Sequence, residues 1–316
     1  MNIRKVSEEQ LLPRSSDKSF TTPPPFTFAR YSVAHRAHPE RNEDCILADQ
    51  LRGLAGVFDG VGGRGDGHVA SRTAARVIGT AWKRILAPIQ EKPGVLSSCS
   101  HLDLPETLQT LAETAHKRIH REGERLTRAM NGSASTGKYP GTTFVLSAFC
   151  RQDDGNYTMI YAYVGDSRIY LLREREPLQR LTEDDGYFSL LLQKGAIEKS
   201  DILRIDQATH ANQLTETELS YFHKRNGITQ SLGDRKTPDI HIDQVNIVPG
   251  DRILLCSDGV HDNLIDREIE DILRYGTRTT VARLLVNSAL RRSDDKDLTL
   301  RAKADDISAI VITCRS

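Results

Sequence analysis

The stretch "GVFDGVGGRGDG", Gly56–Gly67, contains six glycines and two aspartates. It begins within the apolar run "LAGVF", which is typical of a strand. It leads into "HVASRTAARVIGTAWKRILAPI", where apolar residues recur at helical spacing. Glycine lets the backbone approach a ligand closely and adopt positive φ values. From these residues alone, the stretch suits a nucleotide pyrophosphate, a metal ion or only a sharp turn.

The order of the predicted elements around this stretch indicates the fold class. Short β-like runs come first, and they are followed by two helices, several strands, two more helices and a last strand, "DISAIVITC". Because strands and helices do not alternate regularly, the pattern favours a layered α+β domain over a doubly wound sheet. The turn "QDDGN" predicts a β-hairpin, and "DIHIDQVNIV" is predicted to pair with "RILLCSD". Residues 1–27 are polar, contain three consecutive prolines and are predicted to form a flexible arm before a domain covering 28–316.

The composition argues against several classes of partner. Lys plus Arg and Asp plus Glu both number 43, so charge gives no reason to expect nucleic acid or an anionic membrane. No apolar run reaches the roughly 18 residues of a membrane span, and the N-terminal residues lack the apolar segment of a secretory signal. The five cysteines are far apart, as is usual for thiols in a reducing compartment. We therefore expect a cytoplasmic protein that binds neither nucleic acid nor membranes.

Three alternative interpretations of local motifs have little support. "GVGGRG" (60–65) fits the glycine pattern of a dinucleotide fold, but no second parallel strand follows the helix promptly. "GSASTGKY" (132–139) nearly matches a P-loop, but Tyr139 replaces the hydroxyl residue that binds magnesium. None of the five cysteines has an arginine six residues later, so a cysteine phosphatase has no support.

Carboxylates lie at the predicted tips of the apolar strands. Asp59 follows "LAGVF" and Asp166 follows "MIYAYVG". Other strand tips carry Glu43, Asp44, Asp258, Asp262, Asp305 and Asp306. If these tips converge, the carboxylates repel one another unless a cation lies among them. Mg²⁺ and Mn²⁺ prefer such oxygen ligands, and two ions about 3.5–4 Å apart can activate water and clamp a phosphoryl group. The pattern therefore predicts a two-metal site in which Asp59 bridges the ions and the Gly60 carbonyl is a further ligand.

Eight motifs extend this pattern along the chain: "NED", "FDGVGG", "GTTFV", "VGDSRIYLL", "LTEDD", "ITQSLGD", "LLCSDGVHD" and "ADDISAIVI". In order and spacing they resemble the metal-dependent PPM/PP2C protein phosphatases, from about residue 28 to residue 314. The resemblance implies a four-layer α-β-β-α sandwich, with helix pairs flanking two antiparallel sheets and a binuclear metal centre at one end. It also implies hydrolysis of phosphoserine and phosphothreonine by in-line attack of a metal-bound hydroxide, without a phosphoenzyme. A flap subdomain at about 183–235 would contact substrates.

The resemblance further implies ligands for two Mn²⁺ or Mg²⁺ ions. Asp59 would bridge the ions, and Gly60 would offer its carbonyl. Asp258 and Asp305 would bind the first ion. The second ion would be held by Glu43 through water, with Asp44 in support. A third, weaker site would combine Asp166, Asp258 and Asp262.

Three positions depart from the family pattern. The family usually has a phosphate-binding arginine where this chain has Pro39, and Arg41 or Arg36 could replace it, with Arg41 preferred. Val61 stands where eukaryotic members carry a histidine, so the chain resembles a bacterial-type member. Asp185 occupies a position where histidine is common. We therefore predict Arg41, Asp59 and Asp258 as catalytic residues.

The implied partners are phosphorylated proteins, with an opposing serine/threonine kinase, and the implied state is a monomer. Two other functions stay open on the sequence. One is an inactive family member that serves as a binding or scaffold protein, and the other is a hydrolase of small phosphate esters. Comparing the turnover of a phosphopeptide with that of a phosphometabolite distinguishes a protein phosphatase from a small-ester hydrolase. A scaffold protein would turn over neither substrate.

Overall fold

Two antiparallel sheets of five strands each form the centre of the structure. The structure is a computed structural model, and it describes residues 25–62, 66–87, 102–129, 139–152, 155–295 and 299–315. The strands are β1 (Phe26–Val33), β2 (Cys45–Asp49), β3 (Leu54–Phe58), β4 (Gly60–Val61), β5 (Gly141–Thr142), β6 (Phe144–Arg151), β7 (Tyr157–Val164), β8 (Arg168–Leu172), β9 (Gln179–Arg180), β10 (His241–Ile247), β11 (Arg252–Cys256) and β12 (Ile307–Cys314). The α-helices are α1 (Gly67–Leu86), α2 (Leu104–Ala129), α3 (Tyr187–Gln193), α4 (Lys199–Asp206), α5 (Glu216–Lys224), α6 (Asp258–His261), α7 (Asp266–Tyr275) and α8 (Val281–Ser293). Short 3₁₀ turns cover Gln50–Arg52 and Ala211–Gln213.

The strand order separates the chain into two sheets with long-range connections. One sheet has the order β1-β12-β11-β8-β9, the other has the order β10-β7-β6-β3-β2, and β4 pairs with β5 beside them. The predicted hairpin is confirmed, since β6 and β7 are antiparallel neighbours. The predicted pairing of β10 with β11 is wrong. β10 pairs with β7 in one sheet, whereas β11 lies between β12 and β8 in the other.

Three apolar clusters fill the spaces between layers. The facing sheets enclose a core that includes Val57, Phe149, Ile253 and Ile310. On the outer face of the β7-β6-β3 sheet, α1 and α2 bury residues such as Trp82. On the outer face of the other sheet, α7 and α8 bury a third set: Leu273, Leu285 and Val286. Because the central strands are covered on both faces, they are apolar throughout rather than alternating. The predicted four-layer α-β-β-α sandwich is confirmed.

The segment predicted as the flap has a small core of its own. Its helices α3, α4 and α5 enclose Phe188, Leu191, Ile205 and Phe222. The sequence predicted only one helical piece here, because α4 and α5 are short and mostly polar. The capping pair of α5 was a usable signal: the Thr215 hydroxyl accepts from the Glu218 amide at 3.3 Å, and the Glu218 carboxylate accepts from the Thr215 amide at 2.9 Å.

The ends of the described ranges bear on three sequence predictions. Most of the predicted arm, to residue 24, lies outside the described residues, but β1 already begins at Phe26, which is buried and pairs with Cys314. The P-loop-like segment also lies outside them up to residue 138, as do residues 63–65 of "GVGGRG". Within the described ranges, no helix has the length and apolar character needed to cross a bilayer.

Candidate metal centre

Three strand tips bring carboxylates together at one end of the sandwich. Asp59 follows β3, Asp166 lies in the turn after β7, and Asp258 follows β11. A carboxylate oxygen from each lies within 4.8 Å of the other two. Because β3 and β7 belong to one sheet and β11 to the other, the cluster spans both sheets. The predicted convergence of these three tips is therefore observed.

The glycines beside Asp59 allow two backbone segments to cross at close range. A Cβ atom on Gly60 would lie 2.6 Å from the Glu43 carbonyl oxygen and would also meet the backbone of Gly67. A Cβ atom on Gly67 would in turn lie 2.8 Å from Glu43 Oε2. Real side chains do not tolerate such distances to backbone atoms. The glycine stretch thus packs the start of α1 against the residue after Asp59, and it places Glu43 at the same crossing.

The loop that carries Glu43 and Asp44 is held by Asp306. The two carboxylate oxygens of Asp306 accept the amides of His35, at 2.8 Å, and Glu43, at 2.7 Å. Asp44 is buried and accepts a hydrogen bond from the Ser257 hydroxyl at 2.7 Å, directly before Asp258. Sequence reasoning placed Asp306 at a strand tip but gave it no role. In the structure it fixes the loop rather than joining the three-carboxylate cluster.

Asp262 and Asp305 meet the cluster through a lysine. Lys303 Nζ contacts Asp258, and it lies 2.9 Å from Asp262 Oδ2 and 3.0 Å from Asp305 Oδ2. Asp262 also lies 3.4 Å from Nε of Arg225, which follows the flap helix α5. Sequence reasoning missed both cations, although the position of Lys303 two residues before Asp305 was a visible signal for one of them.

The turn that carries Asp166 is positioned by the flap boundary. Gly165 has a φ of +97°, which favours glycine. Its amide donates to Asp185 Oδ2 at 2.9 Å, and the other Asp185 oxygen lies 2.9 Å from His241 Nε2. Asp185, which departs from the histidine common at this position in the family, therefore supports the Asp166 turn and carries its own histidine partner.

The arginine candidates differ clearly in their surroundings. Arg41 Nε lies 3.1 Å from Glu43 Oε1, so its side chain reaches the predicted metal-binding loop. Arg36 is exposed and pairs with Asp294 at 2.7 Å, away from Glu43. Pro39 lies in the turn between them. The structure thus brings Arg41 into contact with Glu43, whereas Arg36 contacts Asp294.

The electrostatics of the cluster fit a divalent cation. Burial, with Asp258 as the next cause, raises the pKa of Asp59 and Asp166 well above the usual value. Burial likewise raises the pKa of Asp258 to about 7, although Lys303 opposes the shift. Asp258 Oδ1 is buried and has no hydrogen-bond partner among the described residues. An oxygen-only set with an unpartnered buried carboxylate oxygen suits Mn²⁺ or Mg²⁺.

The raised pKa of Asp258 predicts that replacing this residue by asparagine changes how the stability of the fold depends on pH. The folded state holds this proton more tightly than the unfolded state, whose value is 3.8, so its stabilising effect is lost as pH rises through about 7. In metal-free protein, Asp258→Asn is therefore expected to gain stability relative to the parent as pH rises from about 4 to about 7, by at most about 1.4 kcal/mol per pH unit, and to keep a constant advantage above that range. Urea unfolding in EDTA measures this difference. Parallel pH profiles for the variant and the parent would contradict it, and the exposed Asp271→Asn on α7 is the control.

Comparison with known proteins matches this arrangement to a family. The family model for protein phosphatase 2C covers residues 33–293. The serine/threonine phosphatase Stp of Listeria innocua is 27% identical over 241 residues, which are 76% of this chain and 79% of that protein. The protein phosphatase PhpP of Streptococcus pneumoniae is 28% identical over 217 residues, which are 69% of this chain and 71% of that protein.

Solved structures show the same fold. The serine/threonine phosphatase PstP/Ppp of Mycobacterium tuberculosis superimposes with a TM-score of 0.64 at 24% identity, covering 92% of this chain and 99% of that one. The catalytic domain of PstP in complex with two manganese ions gives a TM-score of 0.63 with the same coverage. The family model extends over most of the chain, and Asp59, Asp166 and Asp258 converge at one end of the shared fold. This chain therefore belongs to the protein phosphatase 2C family of metal-dependent serine/threonine protein phosphatases.

Proposed function

We propose that this acidic site hydrolyses phosphoserine and phosphothreonine in proteins with two Mn²⁺ or Mg²⁺ ions bound. The observation that carries the proposal is the convergence of Asp59, Asp166 and Asp258, with Asp258 Oδ1 buried and unpartnered among the described residues. When bound, such ions act as Lewis acids toward phosphoryl oxygens and make water acidic enough to serve as nucleophile near neutral pH.

Several residues of the chain are proposed to hold the two ions. Asp59 has a carboxylate oxygen within 4.8 Å of oxygens of both Asp166 and Asp258, which supports a role as the bridging ligand, and the Gly60 carbonyl follows it in the chain. The remaining ligands in this proposal are Asp258, Asp305 and Glu43, with Asp44 in support. Asp44 is buried and held by Ser257, so it positions the neighbouring backbone rather than reaching outward.

Arg41 is the proposed phosphate-binding group. A guanidinium fork matches phosphate oxygens in pairs, and the Nε atom of this one lies 3.1 Å from Glu43 Oε1. Its side chain is 43% exposed, so an incoming phosphate can reach it. Val61, which stands where eukaryotic family members carry a histidine, offers no proton, so the leaving group would be protonated by water or by another group.

The substrate class follows from the relatives, several of which are named serine/threonine phosphatases. An opposing serine/threonine kinase, a monomeric state and a cytoplasmic location complete the proposal. Phosphorylated proteins are the partners to test first, because only they distinguish this function from hydrolysis of small phosphate esters.

The test is release of phosphate from a phosphothreonine peptide by the purified chain with Mn²⁺, with Mg²⁺ and with EDTA. We expect turnover with either ion and none in EDTA, because in this proposal the bound ions would make the attacking water acidic enough to react. A phosphometabolite of matched concentration is the competing substrate. Faster turnover of that ester would favour the small-ester hydrolase, and metal binding without any turnover would favour a scaffold protein.

A further inference from the structure

The acidic site contains a cation that belongs to the chain itself. The Lys303 ammonium contacts Asp258 and lies 2.9 Å from Asp262 and 3.0 Å from Asp305. Its side chain is only 22% exposed. All three partners are among the residues predicted to bind metal, and two of them, Asp258 and Asp262, are members of the predicted third site. A tethered ammonium and a divalent ion therefore compete for the same oxygens.

Two hydrogen bonds with the side chain of Asn263 fix the backbone of Lys303. The fully buried Asn263 accepts the Lys303 amide through Oδ1 at 3.0 Å and donates through Nδ2 to the Lys303 carbonyl at 3.0 Å. Asn263 directly follows Asp262, so the same turn carries one carboxylate partner and the clamp. This pair of hydrogen bonds therefore fixes the backbone position from which the Lys303 side chain reaches the cluster.

A second cation, Arg225, lies next to the other carboxylate oxygen of Asp262. Arg225 Nε lies 3.4 Å from Asp262 Oδ1, and its guanidinium covers the ring of Phe222 at 3.8 Å. The Arg225 side chain is 10% exposed, so the pair is largely shielded from water. Both oxygens of Asp262 therefore lie near a positive charge, and Asp258 Oδ1 has no hydrogen-bond partner among the described residues.

We propose that Lys303 takes the place of the third divalent ion, so that the chain binds two ions and fills the third position with its own ammonium. The inference rests on the proposed metal-binding function. It divides the acidic cluster into an open part, formed by Asp59, Asp166 and Asp258 Oδ1, and a part at Asp262 that Lys303 neutralises, while Asp305 stays a ligand of the first ion. Asp262 then supports Lys303 instead of binding metal.

The experiment counts Mn²⁺ ions per chain by calorimetry and by the electron paramagnetic resonance of free Mn²⁺, neither of which depends on activity. The parent protein is expected to bind two ions. Lys303→Met, which removes the charge and keeps most of the volume, is expected to bind a third ion or to hold its weakest ion on the order of tenfold more tightly, because a like charge has left the site. Lys194→Met, an exposed lysine after α3, is the matched control and should bind as the parent does.

Other results separate this inference from the proposed function. A parent that binds no Mn²⁺ overturns the metal-dependent function and the inference with it. A parent that binds two or more ions, with Lys303→Met unchanged, overturns only the inference, and a parent that already binds three does the same. If Lys303→Met does not fold, Asp262→Asn decides: unchanged Mn²⁺ binding supports the proposal, and loss of an ion or a tenfold weakening overturns it.

Discussion

Replacing Asp59 by asparagine is expected to lower kcat for a phosphothreonine peptide by roughly a thousandfold. In the proposed site this carboxylate joins both ions, so its loss weakens the Lewis acid stabilisation of the phosphoryl group. That stabilisation amounts to several kcal/mol, and each 1.36 kcal/mol corresponds to a factor of about ten in rate. The measurement is phosphate release at saturating peptide and Mn²⁺, with Mn²⁺ binding followed separately.

The fold of the Asp59→Asn variant should be intact. Burial and neighbouring carboxylates raise the pKa of Asp59, so an amide at this position removes repulsion from the metal-free protein. We therefore expect its metal-free form to unfold at the same urea concentration as the parent or at a higher one. The exposed Asp271→Asn controls for removal of one carboxylate. Activity of Asp59→Asn within tenfold of the parent would contradict the bridging role.

Replacing Arg168 by methionine is expected to cost about 3 to 5 kcal/mol of the free energy of unfolding at neutral pH, the usual loss when one partner of a buried ion pair is removed. Arg168 is 3% exposed and lies 2.6 Å from Asp184 and 3.0 Å from Asp206. Its pairs connect strand β8 to the start of the flap and to helix α4. Methionine fills much of the volume but leaves two carboxylates without their main counter-charge, since Arg180 lies 3.7 Å from Asp184 and 4.0 Å from Asp206.

The matched control is Arg204→Met. Arg204 also pairs with two carboxylates, Asp201 at 3.3 Å and Glu218, but its side chain is 50% exposed. Solvent screens such pairs, so we expect a loss below about 1 kcal/mol. Urea unfolding of both variants measures the difference, and equal losses would show that burial of the Arg168 pairs contributes nothing.

The difference in the free energy of unfolding between Arg168→Met and the parent should also become smaller at acidic pH. Although burial opposes their ionisation, Arg168 holds the pKa of Asp184 and Asp206 below the usual 3.8. The stability from these pairs is therefore present above that value and is lost as pH falls below it. In the variant the same carboxylates take up protons more readily, so the two proteins should converge in stability below about pH 4. A constant difference over that range would contradict the ion-pair explanation.

The family and the convergence of three carboxylates could be predicted from the sequence by itself. Asp59, Asp166 and Asp258 each follow a short apolar run that is typical of a buried strand, and a strand tip in a sandwich lies at one of its two ends. The turn "QDDGN" likewise predicts the β6–β7 hairpin, because a short turn leaves its flanking strands no other near partner. These features depend on neighbours in the chain, so local patterns determine them.

Only the tertiary structure decided what lies around those carboxylates. The strands β10 and β11 are adjacent in sequence, yet they join opposite sheets: the partly exposed β10 pairs with β7 at a sheet edge, whereas the buried β11 lies between β12 and β8. In the same way, Lys303 and Arg225 reach Asp262 from segments 41 and 37 residues away along the chain. Asp306 resembles its neighbour Asp305 in sequence but turns toward the His35–Glu43 loop. Charge partners of this kind are set by side-chain direction and packing across the sandwich, which the order of residues does not contain.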